Sequence, residues 1–218
     1  MNLRRSGVVK VNIYSLISQK GGTGKSTLAR QFAVLTGGYL IDRDPQATTA
    51  RWWARRREID PPPERPELID LNGSTLTAAA EVLRRKSEGA VFVDTRPAVD
   101  EPEAEAARVS DVVIVPVRPS PDDLEAVDAT LKILRRLGKR SVIVVNAAKT
   151  SARATTARAA LSGFPVAVCP VPIADRTVYL DAALEGRGVG EMKGAAAREA
   201  LEEIRAVWDW IRQEHDNG

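Results

Sequence analysis

Short apolar runs alternate with longer segments of helical periodicity along most of this chain. The apolar runs are nearly continuous, which is typical of strands that are buried on both faces of a parallel sheet. Strands are expected at 11–18, 38–42, 67–71, 90–94, 112–117, 141–146 and 164–169. Helices are expected at 25–36, 47–57, 74–85 with Ser74 as N-cap, 101–109, 121–137, 150–161, 175–186 and 195–214. The pattern predicts an α/β fold, a doubly wound and mostly parallel sheet with helices on both faces.

Length and composition narrow this picture. We expect residues 1–218 to form a single domain, because the chain is long enough for one sizeable α/β core and short for two. Its 32 basic and 29 acidic residues leave a net charge of +3, too small to indicate a nucleic-acid partner by itself. Cys169 is the only cysteine, so no disulfide can form within the chain and a reducing cytoplasm is expected. No apolar run has the length of a membrane span, so no membrane partner is expected.

The last expected helix carries an apolar stripe. Leu201, Ile204, Trp208 and Ile211 recur at helical spacing. Docking against the core is the first interpretation of this stripe, and a face between two copies is the alternative.

The first expected strand leads into a glycine-rich loop and then a helix. Glycines at 21, 22 and 24 allow the backbone to approach an anion, and the following helix adds the positive end of its dipole. In this P-loop, Lys25 is expected at the β- and γ-phosphates of ATP, Ser26 at Mg²⁺ and Thr27 at a phosphate oxygen. The candidate nucleotide-binding residues of the loop are Gly21, Gly22, Thr23, Gly24, Lys25, Ser26 and Thr27.

The loop departs from the common pattern at two positions. Gln19 stands where a glycine is usual, and Lys20 adds a second cation before the glycines. The sequence from Lys20 to Thr27 resembles the deviant Walker A motif of the ParA/MinD superfamily of ATPases. That resemblance implies that Lys20 reaches the ATP of the other subunit in a nucleotide-dependent homodimer. Within its own subunit we expect no partner for Lys20 beyond the phosphates.

Carboxylates follow two of the expected strands, and the resemblance extends to them. Asp42 and Asp44 lie at the end of the second strand, where the family has an aspartate that orients the attacking water. The resemblance implies that Asp44 is this aspartate and that Lys20 and Lys25 are the other catalytic residues. It implies a supporting role at the metal for Asp42. Asp94 ends an apolar strand in the Walker B arrangement, so it is expected to meet Mg²⁺ through water. Arg96 is a departure from the family, and its contacts are open.

The resemblance also implies residues at the base of the nucleotide. Asn146 ends a strand where relatives use an asparagine to contact the base, although the arginine that commonly follows is Ala147 here. A strand-end cap is the alternative role for Asn146. Pro172 lies in the late segment that packs beside the base in relatives and that also carries Arg176 and Tyr179.

The function implied is that of a short ParA: a cytoplasmic, nucleoid-associated ATPase that binds DNA without sequence preference and acts with a ParB-like centromere-binding partner in plasmid or chromosome partition. Three alternatives remain open. They are a ParA-like positioner of another cargo with its own adaptor, such as carboxysomes or chemoreceptor clusters, a MinD-like membrane-site ATPase, and a metabolic ligase of the same fold. The polar tail disfavours a membrane helix, and no substrate motif favours a ligase.

Three basic clusters are candidates for the DNA contact. They comprise Arg51, Arg55, Arg56 and Arg57; then Arg84, Arg85 and Lys86; then Arg135, Arg136, Lys139 and Arg140. Basic clusters of this kind are more often solvated helix faces than nucleic-acid sites.

Overall fold

Strands and helices alternate from β1 to α7, and a second helix, α8, closes the described chain. The structure, a computed structural model, describes residues 11–86, 88–98 and 100–216. Its strands β1 to β7 are Asn12–Leu16, Tyr39–Asp42, Glu67–Leu68, Ala90–Asp94, Val112–Val117, Ser141–Val145 and Ala167–Val168. Its helices α1 to α8 are Lys25–Thr36, Thr48–Arg57, Leu76–Lys86, Glu101–Val109, Pro121–Arg136, Ser151–Leu161, Val178–Leu184 and Ala195–Asp216, with a short 3-10 turn at Val189–Glu191.

The strands form one seven-stranded sheet in the order β3-β2-β4-β1-β5-β6-β7. Every neighbouring pair is parallel. The α/β fold expected from the sequence is therefore confirmed. Because all strands run the same way, their carboxyl ends meet at one edge of the sheet, and the loops after β1, β2, β4, β5 and β6 lie together there.

Successive residues of the central strands enter two different cores. Tyr14 and Leu16 of β1 face α1, α2, α7 and α8. Ile13 on the same strand faces α3, α4, α5 and α6. Such alternation is the two-residue period of a strand, applied to a sheet that is covered on both faces. On the first face, the Trp208 ring packs edge-on against Tyr14 and Phe92, with ring centroids 4.9 and 5.2 Å apart.

Helix α8 docks on the core through the stripe expected from its sequence. Ile204, Trp208 and Ile211 are buried, and Leu201 packs against the same core while partly exposed. The first interpretation of this stripe is therefore confirmed. Among the described residues, no helix combines the length and the apolar character that crossing a membrane requires.

The central elements match the expected boundaries best. The expected ranges 25–36, 90–94, 101–109 and 112–117 coincide with α1, β4, α4 and β5. Strands β3 and β7 are only two residues long, shorter than expected, because each lies at an edge and pairs with one neighbour. Ser74 is not the N-cap of α3: the helix begins one residue later than expected, and the Thr75 hydroxyl accepts the Ala78 N–H at 3.1 Å.

Candidate nucleotide-binding site

The glycine-rich loop joins the carboxyl end of β1 to the N-terminus of α1. Gly24 precedes the helix with φ of 100°, a left-handed conformation that favours glycine. No side chain caps this helix, so its first N–H groups remain oriented toward the loop. An uncapped helix N-terminus below a glycine-rich loop is the arrangement that binds phosphate.

Asn146 supports this loop from the end of β6. Its amide Nδ2 donates to the Thr23 carbonyl oxygen at 2.7 Å, and a Cβ atom at position 24 would lie 2.0 Å from the same nitrogen. Gly24 is therefore required for space as well as for conformation. The observed contact corresponds to a loop-holding role for Asn146; contact with the base stays a prediction.

The Lys25 ammonium lies inside the loop. Its Nζ donates to the Ser18 and Lys20 carbonyl oxygens at 3.5 and 3.4 Å, long contacts for a charged donor. Burial lowers the pKa of Lys25, and the nearby Asp94, Asp44 and Glu103 charges oppose this effect. A buried cation held by weak carbonyl contacts is well suited to donate hydrogen bonds to phosphate oxygens.

Asp94 provides a carboxylate oxygen suited to a hydrated metal ion. It ends β4, in register with Asp42 of β2 on one side and Leu16 of β1 on the other. Its Oδ2 accepts the Thr49 hydroxyl at 2.7 Å, whereas its buried Oδ1 has no partner among the described residues. Burial raises the pKa of Asp94 to about 6, against the effect of the nearby Thr49 and Ser26 hydroxyls. An orphaned carboxylate oxygen near the Ser26 hydroxyl fits the oxygen ligands of Mg²⁺.

The two aspartates after β2 make different contacts. Both oxygens of Asp42 accept backbone N–H groups, from Asp44 at 3.0 Å and from Ala50 at 2.8 Å, so Asp42 holds the start of α2. Asp44 accepts only the Gln46 N–H, at 2.9 Å, and its side chain borders the cavity above the P-loop. Of the pair, Asp44 is the carboxylate that borders the cavity.

Lys20 has a partner in its own subunit, contrary to the expectation from the sequence. Its Nζ lies 3.6 Å from carboxylate oxygens of both Asp122 and Asp123, at the N-terminus of α5. The carboxyl end of β5 lies next to that of β1, and α5 follows β5 after a short loop. The sheet order therefore brings these acidic residues to the P-loop.

A cavity of about 560 Å³ lies above the P-loop, and Asp94, Asp42 and Lys20 are outside its described lining. The predicted residues that line it are Gly21, Gly22, Gly24, Lys25, Ser26, Thr27, Asp44 and Asn146. Tyr179, Leu180 and Ala183 of α7 also line it. Pro172 is outside this lining, whereas Ala174 and Asp175 of the same segment are part of it.

Two residues at this site were not singled out from the sequence. Thr49 donates to Asp94, and Arg118 borders the cavity at the end of β5. Arg118 is the first charged residue after a fully apolar strand, a position at the binding edge of the sheet that could have indicated it. Arg96, whose contacts were open, pairs with Asp100 and with the buried Glu103 in its own subunit.

The candidate DNA clusters differ in availability. Arg56 is buried against Glu191 and is therefore wrong as a DNA contact; it lies on the core side of α2. Arg84 pairs with Asp111, and the Lys86 side chain lies outside the described residues. Arg135 and Arg136 are exposed at the end of α5, and Arg51 and Arg57 of the first cluster are exposed as well.

Comparisons with known proteins agree with this fold. No protein-family model matches the chain. The maintenance of carboxysome distribution protein A of Halothiobacillus neapolitanus is 27% identical over 203 residues, covering 86% of this chain and 90% of that protein. A plasmid partition protein of Borrelia burgdorferi bound to AMPPNP superposes with a TM-score of 0.72 and 19% identity, covering 91% and 98% of the two chains. The McdA protein of Cyanothece in an ATP complex also gives 0.72, with 17% identity and 92% and 96% coverage. The chain thus has the P-loop NTPase fold of the ParA/MinD-type ATPases, and its sequence is similar to one of them.

Proposed function

We propose that this chain is a ParA-like ATPase that dimerises around Mg-ATP, binds DNA without sequence preference in that state, and positions a cargo through an adaptor protein. One observation carries the proposal. A single cavity joins an uncapped helix N-terminus and the buried Lys25, and the unpartnered carboxylate oxygen of Asp94 lies at the same edge of the sheet.

Each residue has a stated task in this proposal. The loop N–H groups and Lys25 hold the β- and γ-phosphates, while Ser26 and Asp94 are the residues that would hold Mg²⁺. Bound Mg²⁺ would supply charge neutralisation on the phosphate chain. Asp44 accepts a hydrogen bond from the attacking water and aligns it with the γ-phosphorus. Asp44 and Asp175 are the two carboxylates of the described lining.

DNA binding is assigned to the dimer. A net charge of +3 gives one subunit few phosphate contacts, and each contact is weak and screened. Two copies joined around nucleotide double the contacts on one surface. Arg135 and Arg136 at the exposed end of α5 are the cations that we assign to this surface.

Two cargo classes are in question. A DNA cargo with a ParB-like partner is the first candidate, and the Borrelia burgdorferi structure that resembles this chain is a plasmid partition protein. A protein compartment is the second, and the sequence similarity to a carboxysome distribution protein favours it. A fluorescent fusion observed in the source cell separates them, because it would follow either a DNA locus or a protein compartment.

Retention on duplex DNA with ATP, with ADP and without nucleotide tests the proposal. We expect retention with ATP only, with log affinity falling by about 0.9 per phosphate contacted for each tenfold rise in salt.

Lys25→Ala should bind no ATP analogue and retain no DNA, because the buried cation is gone. Lys193→Ala, at an exposed lysine on another surface, is the matched control and should behave as wild type. Equal retention in all three states would contradict the nucleotide switch.

A further inference from the structure

Arg118 places a guanidinium directly against the glycine-rich loop. A Cβ atom built on Gly22 would lie 3.6 Å from Arg118 Nη1 and 3.8 Å from Cζ. The backbone of Arg118 is fixed, since it directly follows β5 and its carbonyl oxygen accepts the Ser120 N–H at 2.8 Å. The side chain thus reaches the cavity from a rigid strand end.

The other cations at this cavity already have acceptors. Arg30 donates to the Ser26 carbonyl oxygen at 2.9 Å. Arg176 is held by Glu199 and Glu203, both at 2.7 Å. Lys25 donates to the Ser18 and Lys20 carbonyl oxygens. Across residues 11–86, 88–98 and 100–216, the Arg118 guanidinium has neither a hydrogen-bond acceptor nor an ion-pair partner.

The charge of the lining favours an anion at this position. Four cationic side chains and two carboxylates border the cavity, which leaves an excess of positive charge. The planar fork of Arg118 lies against Gly22 of the loop, and a guanidinium matches two oxygens of a phosphoryl group. The oxygens of one phosphate chain can therefore accept hydrogen bonds from both the loop and Arg118.

We propose that Arg118 is a nucleotide-binding residue of this site, which binds oxygens of the phosphate chain of ATP in its own subunit, beside Lys25. The inference rests on the proposed nucleotide site and adds a residue to it. A phosphate contact of this kind makes Arg118 part of the monomer's affinity for ATP. By contrast, a residue that pairs only with a second copy would affect dimer formation alone.

The test is binding of a fluorescent ATP analogue at protein concentrations where light scattering shows monomers. Arg118→Gln should weaken binding by about 10- to 100-fold, the effect of one charge-assisted hydrogen-bonding pair. Arg118→Lys should lose less, because the charge remains and only the fork is removed. Arg153→Gln, at an exposed arginine on α6, is the matched control and should bind as wild type.

The outcomes separate this inference from the proposed function. If wild type binds no nucleotide, the proposed function fails. If wild type binds ATP and Arg118→Gln binds it equally well, the inference is overturned while the function stands. Unchanged monomer affinity with loss of the ATP-dependent dimer would assign Arg118 to the partner interface and also overturn the inference. Circular dichroism of each variant checks that the fold is intact, as expected for an exposed side chain.

Discussion

Asp42 and Asp44 stand two residues apart, yet only one is available for chemistry. Asp42 uses both oxygens on backbone N–H groups at the start of α2, so its removal would disturb the helix. Asp44 makes a single backbone contact, to Gln46, and borders the cavity. The difference between these two carboxylates lies in their hydrogen bonds, which the sequence alone does not display.

We expect Asp44→Ala to bind Mg-ATP normally and to hydrolyse it about 100-fold or more slowly, because the residue that aligns the attacking water is removed. Single-turnover hydrolysis and analogue binding are the measurements. Asp70→Ala is a matched control, because Asp70 makes the same kind of contact, to the Asn72 N–H at 2.8 Å, in an exposed loop. Unchanged turnover in Asp44→Ala would remove Asp44 from the catalytic step.

Single residues at strand ends were predictable to different degrees. Lys25, Asp94 and Asp44 follow from a motif and from the edge at which strands end, and all three lie at that edge. The Lys20 pair and the position of Arg118 were not predictable, because they depend on which loops the sheet order brings together. The Asn146 contact with Thr23 likewise joins residues 123 positions apart.

At the scale of elements, helix α5 holds Lys20 before any dimer forms. Asp122 is 86% exposed and Lys20 37% exposed, so the pair is weak and screened by solvent. If Lys20 acts on the ATP of the second copy, it must first break its contacts with Asp122 and Asp123 of α5. In the proposed dimer, the contact with α5 would therefore set a free-energy cost on dimerisation.

We expect Asp122→Asn to lower the protein concentration needed for ATP-dependent dimerisation by about two- to fivefold, the range of one exposed ion pair. Lys20→Ala should still bind ATP as a monomer and should form no dimer. Light scattering of both in an Asp44→Ala background measures the effect. Asp128→Asn is the control on the same helix, where Asp128 pairs with Lys132 instead; an equal effect in this control would contradict a role for the Lys20 contact.

Central elements were also the most predictable ones. Strands β4 and β5 are buried along their whole length, so a run of apolar residues defines them. Strands β3 and β7 lie at the edges and are at least partly exposed, and each pairs with only two residues of its single neighbour. Pattern alone does not tell which strand lies at an edge.

At the scale of the whole molecule, one buried ion pair ties α2 to the 3-10 turn that precedes α8. Arg56 is 2% exposed and Glu191 28% exposed, and their closest atoms are 2.7 Å apart. Arg56 also donates to the Arg65 and Gly186 carbonyl oxygens. Burial tends to raise the pKa of Glu191, but the Arg56 contacts outweigh it and hold the pKa below its ordinary value.

We expect Glu191→Gln to lower the free energy of unfolding at pH 7 by about 3 kcal/mol, the low end for breaking a buried pair, because Glu191 keeps some solvent contact. Because the pKa of Glu191 is lower in the folded state, the ionised carboxylate stabilises the fold fully at pH values above the ordinary pKa of 4.5. This stabilisation is lost as the pH falls through the lowered pKa. Urea unfolding should therefore show a smaller difference between wild type and variant at about pH 3.5. Glu202→Gln, exposed on α8, should show no such pH-dependent difference.

Cys169, the single cysteine of the chain, is fully buried in the core between the sheet and helices α1, α2, α7 and α8. Burial raises the pKa of its thiol to about 11, so at neutral pH it is neither accessible nor ionised. The native chain should therefore resist maleimides, and its alkylation should report global unfolding. A cysteine introduced by Arg153→Cys could then carry one dye per subunit with no other site labelled, which opens the assembly of two copies to distance measurements by energy transfer.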